Sequence, residues 1–127
     1  MELETIDDKG HQLEKKVAIA WRRLVVAAEA EGHTITLTTA FRSPEHQKKL
    51  FSKYVKDIAA WERSGKRGPK PTPVARPGKS AHEFGRAVDI KVAAFPKLLE
   101  WLRKNASRFG FYETVSREAW HWEFRDG

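Results

Sequence analysis

The sequence contains no cysteine, and no apolar run in it approaches the ~18 residues needed to span a membrane. Without cysteine there is no disulfide scaffold, no thiolate metal site and no cysteine nucleophile, so any metal must be held by His, Asp or Glu. Residues 1–8 carry four acidic side chains and no basic one, the reverse of a signal peptide. We therefore expect synthesis in the cytoplasm without a signal peptide.

The chain has 127 residues, of which 40% are hydrophobic and 32% charged, a normal balance for a globular protein. This length suits one ordinary domain, so we predict a single domain over residues 1–127, with monomer as the default state. The formal net charge is +7, and five basic residues without any acid lie in residues 64–79. Such a charge favours anionic partners, although a modest charge more often serves only solubility.

Helical periodicity predicts an amphipathic helix over residues 11–31 that ends at Gly32. Ser43 and Pro44 form a cap and a first turn, which predicts a second helix to about Arg63 with apolar residues at helical spacing: Leu50, Tyr54, Ile58 and Trp61. A third helix follows from Phe95 to Ala106. Residues 64–79 hold four of the six prolines and three of the eight glycines, which predicts a long basic loop beside a binding cleft.

Alternating β-branched residues predict strands over residues 34–40 and 87–92, and two shorter strands are expected at 111–112 and 120–124. The order of elements is then helix, strand, helix, loop, strand, helix, strand, strand. This order predicts an α+β fold in which helices pack on a small antiparallel sheet.

His82, Asp89 and His121 are the candidate metal ligands. Asp89 lies between Val88 and Ile90, so it points away from the core face of its strand, and an acid there must be paired, solvated or coordinated. His121 alternates in the same way with two tryptophans. A catalytic zinc takes three protein ligands, often His and a carboxylate, and leaves one position for water. Taken singly, each residue is more often a hydrogen-bonded or ion-paired side chain than a ligand.

Metal-dependent hydrolysis also needs a base, and two glutamates compete for that role. Glu118 precedes His121 by three residues, so it must lie in the turn before the strand if both are to reach one site. Glu123 shares a strand face with His121 and is the rival on alternation alone. Arg42, at the end of a strand, could hold a carboxylate or polarise a carbonyl, although a surface ion pair is its commoner fate.

Three segments together resemble a known family. They are Phe41-Arg42-Ser43, then Ser80, His82, Gly85, Ala87 and Asp89 at fixed spacing, then Glu118, Trp120 and His121. Their order and gaps are similar to those of the zinc D-alanyl-D-alanine carboxypeptidase and L-alanyl-D-glutamate endopeptidase family (VanY-like), most like a short phage endolysin. Ala40-Phe41 stands where the family usually has Gly-Tyr, which removes a hydroxyl but no catalytic group.

The resemblance implies a hedgehog/DD-peptidase-like fold and a Zn²⁺ cofactor bound by His82, Asp89 and His121. Glu118 would act as base and then as acid, and Arg42 would contact the substrate carbonyl or carboxylate. Ser80 would support a ligand or contact substrate. Gln47, four residues after Ser43, and Trp120, which flanks His121, are further candidates for substrate binding, with packing as the alternative for Trp120.

The leading hypothesis is therefore a zinc metallopeptidase that hydrolyses the peptidoglycan stem peptide, with L-Ala-D-Glu cleavage favoured and D-Ala-D-Ala cleavage next. A phage or prophage endolysin, released to the cell wall through a holin, fits the missing signal peptide. Anionic cell-envelope polymers are a further expected partner because of the basic loop. A cytoplasmic D-Ala-D-Ala dipeptidase and a non-catalytic zinc module are alternatives. A nucleic-acid binder is disfavoured because no basic recognition helix or aromatic stacking motif is present.

Overall fold

A computed structural model describes residues 1–126 and contains three α-helices, six short strands and two 3₁₀ turns. The helices are α1 (Lys15–Ala30), α2 (Pro44–Arg63) and α3 (Pro96–Asn105). The strands are β1 (Leu3–Thr5), β2 (Gln12–Glu14), β3 (Leu37–Thr39), β4 (Ala87–Ile90), β5 (Phe111–Glu113) and β6 (His121–Phe124). The 3₁₀ turns are Ala81–Phe84 and Ala106–Phe109. Within the described part of the chain, no helix is both long and apolar enough to cross a membrane.

The main sheet has four antiparallel strands in the order β3-β4-β6-β5, which confirms the predicted α+β fold. Its register pairs Val88 with Trp122 and Asp89 with His121, so two polar side chains stand opposite each other in the centre of the sheet. The hydrophobic core lies between the sheet and the buried faces of α1 and α3. Its members include Val17, Trp21, Leu24, Val88, Ile90, Leu98, Leu102, Phe111 and Trp122.

The N-terminal segment differs from the prediction. Residues 12–14 form β2, which pairs with β1 in a small hairpin, and the first helix begins at Lys15 rather than at residue 11. The reason is tertiary: Phe41 donates a backbone hydrogen bond to Gln12, and Glu14 donates one to Gly85. The hairpin is thereby joined to the two segments that lead into the site.

The predicted strands are all present, and all but the one at residues 111–112, which extends to Glu113, are shorter than predicted. The strand expected over residues 34–40 is reduced to Leu37–Thr39, and the one expected over residues 87–92 ends at Ile90. The last strand begins at His121 because Trp120 still belongs to the preceding turn, from which its carbonyl accepts a hydrogen bond from Ile90. Alternation therefore located each strand, while the partners available in the sheet set its ends.

The second helix and the basic loop form one unit, which we call the basic arm and define as residues 44–79. The loop folds back along α2, because Trp61 Nε1 donates to the Gly68 carbonyl at 3.1 Å near one end and Gln47 Nε2 donates to the Ala75 carbonyl at 2.8 Å near the other. Of the residues in α2, Gln47 alone is buried. The predicted apolar stripe of this helix is only half-buried beneath the loop.

Candidate metal centre and active site

The structure brings the three predicted ligands together. His82 comes from the 3₁₀ turn, Asp89 from β4 and His121 from β6, and one potential ligand atom from each lies within 4.8 Å of the other two. Asp89 Oδ1 is 3.1 Å from His82 Nε2 and 3.0 Å from His121 Nδ1. Two imidazoles and one carboxylate thus converge on one point.

Each imidazole is held by its remaining nitrogen. His82 Nδ1 lies 2.8 Å from the Ala40 carbonyl oxygen, which turns Nε2 toward Asp89. His121 Nε2 lies 2.7 Å from Glu123 Oε2, and the same oxygen accepts a 2.6 Å hydrogen bond from the Thr114 hydroxyl. Such contacts select the tautomer of a metal-binding histidine and orient its ring.

The electrostatics of the cluster suit a divalent cation. Burial alone would raise the pKa of Asp89, yet hydrogen bonds from His121 and His82 lower it to about 2, so it is a carboxylate at neutral pH. Burial likewise opposes the charge on His121, but Asp89 and Glu123 raise its pKa above the ordinary value. An anionic oxygen and two imidazole nitrogens are donors that zinc accepts in catalytic sites, so the residues present fit this metal.

The Ser80–Gly85 segment shapes the turn that carries His82. Ser80 Oγ accepts a hydrogen bond from the His82 backbone N–H, and the Glu83 carboxylate accepts one from the Ser80 backbone N–H. Gly85 ends the turn in the left-handed region at φ +64°, and a Cβ there would lie 2.6 Å from Glu14 N. Ser80, predicted to contact substrate or support a ligand, therefore caps the turn while also lining the cleft.

A cleft of about 540 Å³ opens beside the metal ligands. Its walls come from the end of β3, the start of α2, the basic loop and the turn before β6. The predicted site residues that line it are Arg42, Gln47, Ser80, His82, Asp89, Glu118, Trp120 and His121. Trp120 lies at its edge and is 37% exposed.

Glu118 lies in the turn before β6, as its spacing of three residues from His121 predicts. Its backbone carbonyl accepts a hydrogen bond from the His121 backbone N–H. Its carboxylate makes no hydrogen bond to any side chain or backbone group among residues 1–126. Partial burial is the main cause that raises its pKa. Glu123, the rival base, is instead occupied by Thr114 and His121, whose hydrogen bonds lower its pKa despite its burial. Among the described residues that line the cleft, only Glu118 therefore offers an unengaged carboxylate.

Arg42 is fixed by the buried amide of Gln47. Arg42 Nη1 donates to Gln47 Oε1 at 2.8 Å, while the other end of the same amide donates to Ala75 in the loop. Gln47 was predicted to bind substrate. The structure places it at the cleft wall, where both ends of its amide are engaged within the protein and position the guanidinium.

Some site residues were not predicted. Leu50 and residues 72–75 line the cleft, which agrees with a loop beside it but could not be assigned by residue. Thr114 was not singled out, since its contact with Glu123 depends on how β5 and β6 pair. A hydroxyl one residue beyond a strand carries no distinctive signal of its own.

Comparison with known proteins assigns the family. The family model described as VanY, D-alanyl-D-alanine carboxypeptidase, matches residues 10–126. The chain belongs to the VanY family. A D-alanyl-D-alanine carboxypeptidase of Enterococcus faecalis is 27% identical over 140 aligned positions, which cover 98% of this chain and 52% of the relative. The chain thus spans about half the length of this VanY-family relative.

Solved VanY structures have the same fold. VanYB in complex with D-alanine-D-alanine has a TM-score of 0.76 and 28% identity, covering 98% of this chain and 77% of that one. A mutant of the vancomycin-resistance D,D-pentapeptidase VanY in complex with Zn(II) has a TM-score of 0.75 and 27% identity, covering 98% and 78%. The predicted family resemblance and DD-peptidase-like fold are therefore confirmed.

Proposed function

We propose that this VanY-family protein is a zinc-dependent peptidase that hydrolyses the stem peptide of peptidoglycan. The observation that carries the proposal is the convergence of His82, Asp89 and His121 beside the unengaged carboxylate of Glu118 in one open cleft. It is supported by the family match and by the relatives solved with Zn(II) and with D-alanine-D-alanine.

The residues of the cleft would have different roles in this reaction. His82, Asp89 and His121 would hold the metal, which when bound supplies a Lewis acid for the scissile carbonyl and lowers the pKa of water. Glu118 accepts a proton from the attacking water on its carboxylate and delivers it to the departing amine. Arg42, held by Gln47, presents a fixed cation to a carboxylate or carbonyl oxygen of the substrate.

The position of Arg42 suits an amide bond whose amine-side residue carries a free α-carboxylate. A terminal D-Ala has such a carboxylate, and so does a D-Glu that continues the stem through its γ-carboxyl group. We propose D-Ala-D-Ala cleavage as the principal reaction, because the family description and the Enterococcus faecalis relative both name it. L-Ala-D-Glu cleavage, which the resemblance to short phage endolysins favours, is the second candidate because Arg42 could also bind the free α-carboxylate of D-Glu.

Digestion of purified peptidoglycan, followed by mass spectrometry of the products, tests the proposal. Release of free D-Ala from pentapeptide stems supports carboxypeptidase activity, whereas loss of the stem after L-Ala supports endopeptidase activity. Intact stems after digestion with zinc-loaded protein would contradict both reactions and favour a non-catalytic zinc module. A variant with Ser107, an exposed residue that does not line the cleft, changed to Ala is the control and should retain full activity.

The biological setting is a separate proposal. We propose that the protein acts as a phage or prophage endolysin that reaches the cell wall after holin-type release. Expression in a bacterial host with and without a holin tests this: lysis only with the holin supports it. Lysis without a holin, or none in either case although the purified protein digests the wall, would contradict it.

A further inference from the structure

The whole net charge of the protein resides in the basic arm. Residues 44–79 carry ten basic and three acidic side chains, a net +7, while the fourteen basic and fourteen acidic side chains elsewhere cancel. A charge confined to 36 of 127 residues creates a directed field on one side of the molecule. Solubility alone would be served equally well by a dispersed excess.

The arm presents this charge on an ordered scaffold. One face of α2, opposite its half-buried apolar stripe, carries four exposed lysines: Lys48, Lys49, Lys53 and Lys56. In the loop, the ammonium groups of Lys66 and Lys70 lie 5.8 and 5.7 Å from the centre of the Trp61 ring. The loop returns to the catalytic domain through Glu83, whose carboxylate accepts hydrogen bonds from Gly78.

The arm is continuous with the catalytic cleft. Residues 72–75 form part of the cleft wall, and Gln47 connects Ala75 of the arm to Arg42 of the site. A polymer whose peptide occupies the cleft therefore lies next to one edge of the arm. Seven of the ten basic residues are lysines, which act as flexible point charges and need no fixed bidentate partner.

We propose that the basic arm is a docking surface for the peptidoglycan strand itself, whose neighbouring stem peptides supply the anionic carboxylates. This rests on the proposed function, because it takes the polymer at the arm to be the one whose peptide is cut in the cleft. The arm would hold the enzyme on the insoluble polymer, while a short soluble peptide would use only the cleft.

Two variants of equal net charge test this surface. The arm variant changes Lys48, Lys49, Lys53 and Lys56 to Gln, and the control variant changes Lys9, Lys16, Lys97 and Lys104 to Gln. All eight lysines are exposed. Lys53 pairs with Asp57 in the arm set, while the control set contains two ion pairs, Lys104 with Glu100 and Lys16 with Asp126. Gln is a good helix former, so circular dichroism should show both variants folded.

The measurement is co-sedimentation with purified peptidoglycan freed of covalently attached phosphate polymers, at low and high salt. We expect the arm variant to bind at least tenfold more weakly than wild type at low salt, the control variant to bind like wild type, and high salt to remove the difference. Hydrolysis of a soluble stem pentapeptide should be the same for all three proteins.

Equal loss of binding in both variants would overturn the proposal, because net charge rather than the arm would then be responsible. So would binding that requires the attached phosphate polymers, because the occupant would then be those polymers. If none of the three proteins cleaves the soluble pentapeptide, the proposed function is wrong. The co-sedimentation results still show, independently of activity, whether the arm binds peptidoglycan.

Discussion

His121 donates its Nε2 proton toward Glu123, with 2.7 Å between the nitrogen and Oε2. This contact leaves Nδ1 of the same ring facing Asp89, 3.0 Å away. Thr114 donates to the same Glu123 oxygen and fixes the carboxylate in turn. Glu123, which strand alternation alone predicts as a catalytic base, thus orients the metal ligand His121 instead.

Replacing Glu123 with Ala should weaken zinc binding by about 10- to 100-fold, because the His121 ring loses the acceptor that fixes its tautomer and orientation. Glu123→Gln retains an acceptor oxygen and should lose less. Competition with a chromophoric chelator, run at one fixed pH for all the proteins, measures the effect. Glu113→Gln on the adjacent strand breaks an exposed contact with Arg103 and should leave zinc affinity unchanged. Equal affinity for Glu123→Ala and wild type would show that the contact does not matter.

Removal of the metal should not unfold the protein. In the described residues, no buried side-chain nitrogen or oxygen lacks a hydrogen-bond partner, because Asp89 bridges the two histidines. The hydrophobic core is apolar and contains none of the three ligands, so its packing does not depend on them. We expect chelation to leave the far-ultraviolet circular dichroism spectrum unchanged, and saturating zinc to raise the Tm by several degrees through binding to the folded state alone. A cooperative loss of helix on chelation would disprove this.

The two glycines that flank the turn of His82 should differ in their tolerance of alanine. Both have positive φ, but a Cβ at Gly85 would meet Glu14 backbone at 2.6 Å, whereas nothing lies within 4 Å of one at Gly78. Gly78→Ala should cost about 1 kcal/mol of unfolding free energy from backbone strain alone. Gly85→Ala adds a steric clash and should cost about 3 kcal/mol. Urea denaturation measures both, and equal losses would contradict the assigned contact.

Much of the site could be predicted because its residues follow the strand period. Asp89 stands out among apolar neighbours, and the turn position of Glu118 follows from its odd spacing to His121. The N-terminal hairpin was missed since Leu13 is buried and fits the helical period of α1, and nothing local distinguishes a three-residue strand from a first helical turn. The pattern of α2 gives its apolar face correctly, but not the depth of burial, which depends on how the loop folds back.

The pKa of Glu118 should respond to the metal. In metal-free protein, partial burial is the main cause that raises this pKa above the ordinary glutamate value. A nearby divalent cation favours the ionised form, so zinc should lower it. Carbon-13 detected NMR titration of the side-chain carboxyl should show protonation at higher pH without zinc than with it. An unchanged midpoint would place Glu118 too far from the ion to act on it.

The most direct test compares bound zinc and turnover in the same samples of wild type and Glu118→Gln. The account predicts one zinc per chain in both proteins, with D-Ala release from a stem pentapeptide by wild type and a loss of at least a hundredfold in the variant. Comparable turnover by zinc-loaded Glu118→Gln would contradict the account. So would a wild-type protein that binds no more zinc than His121→Ala does under the same conditions.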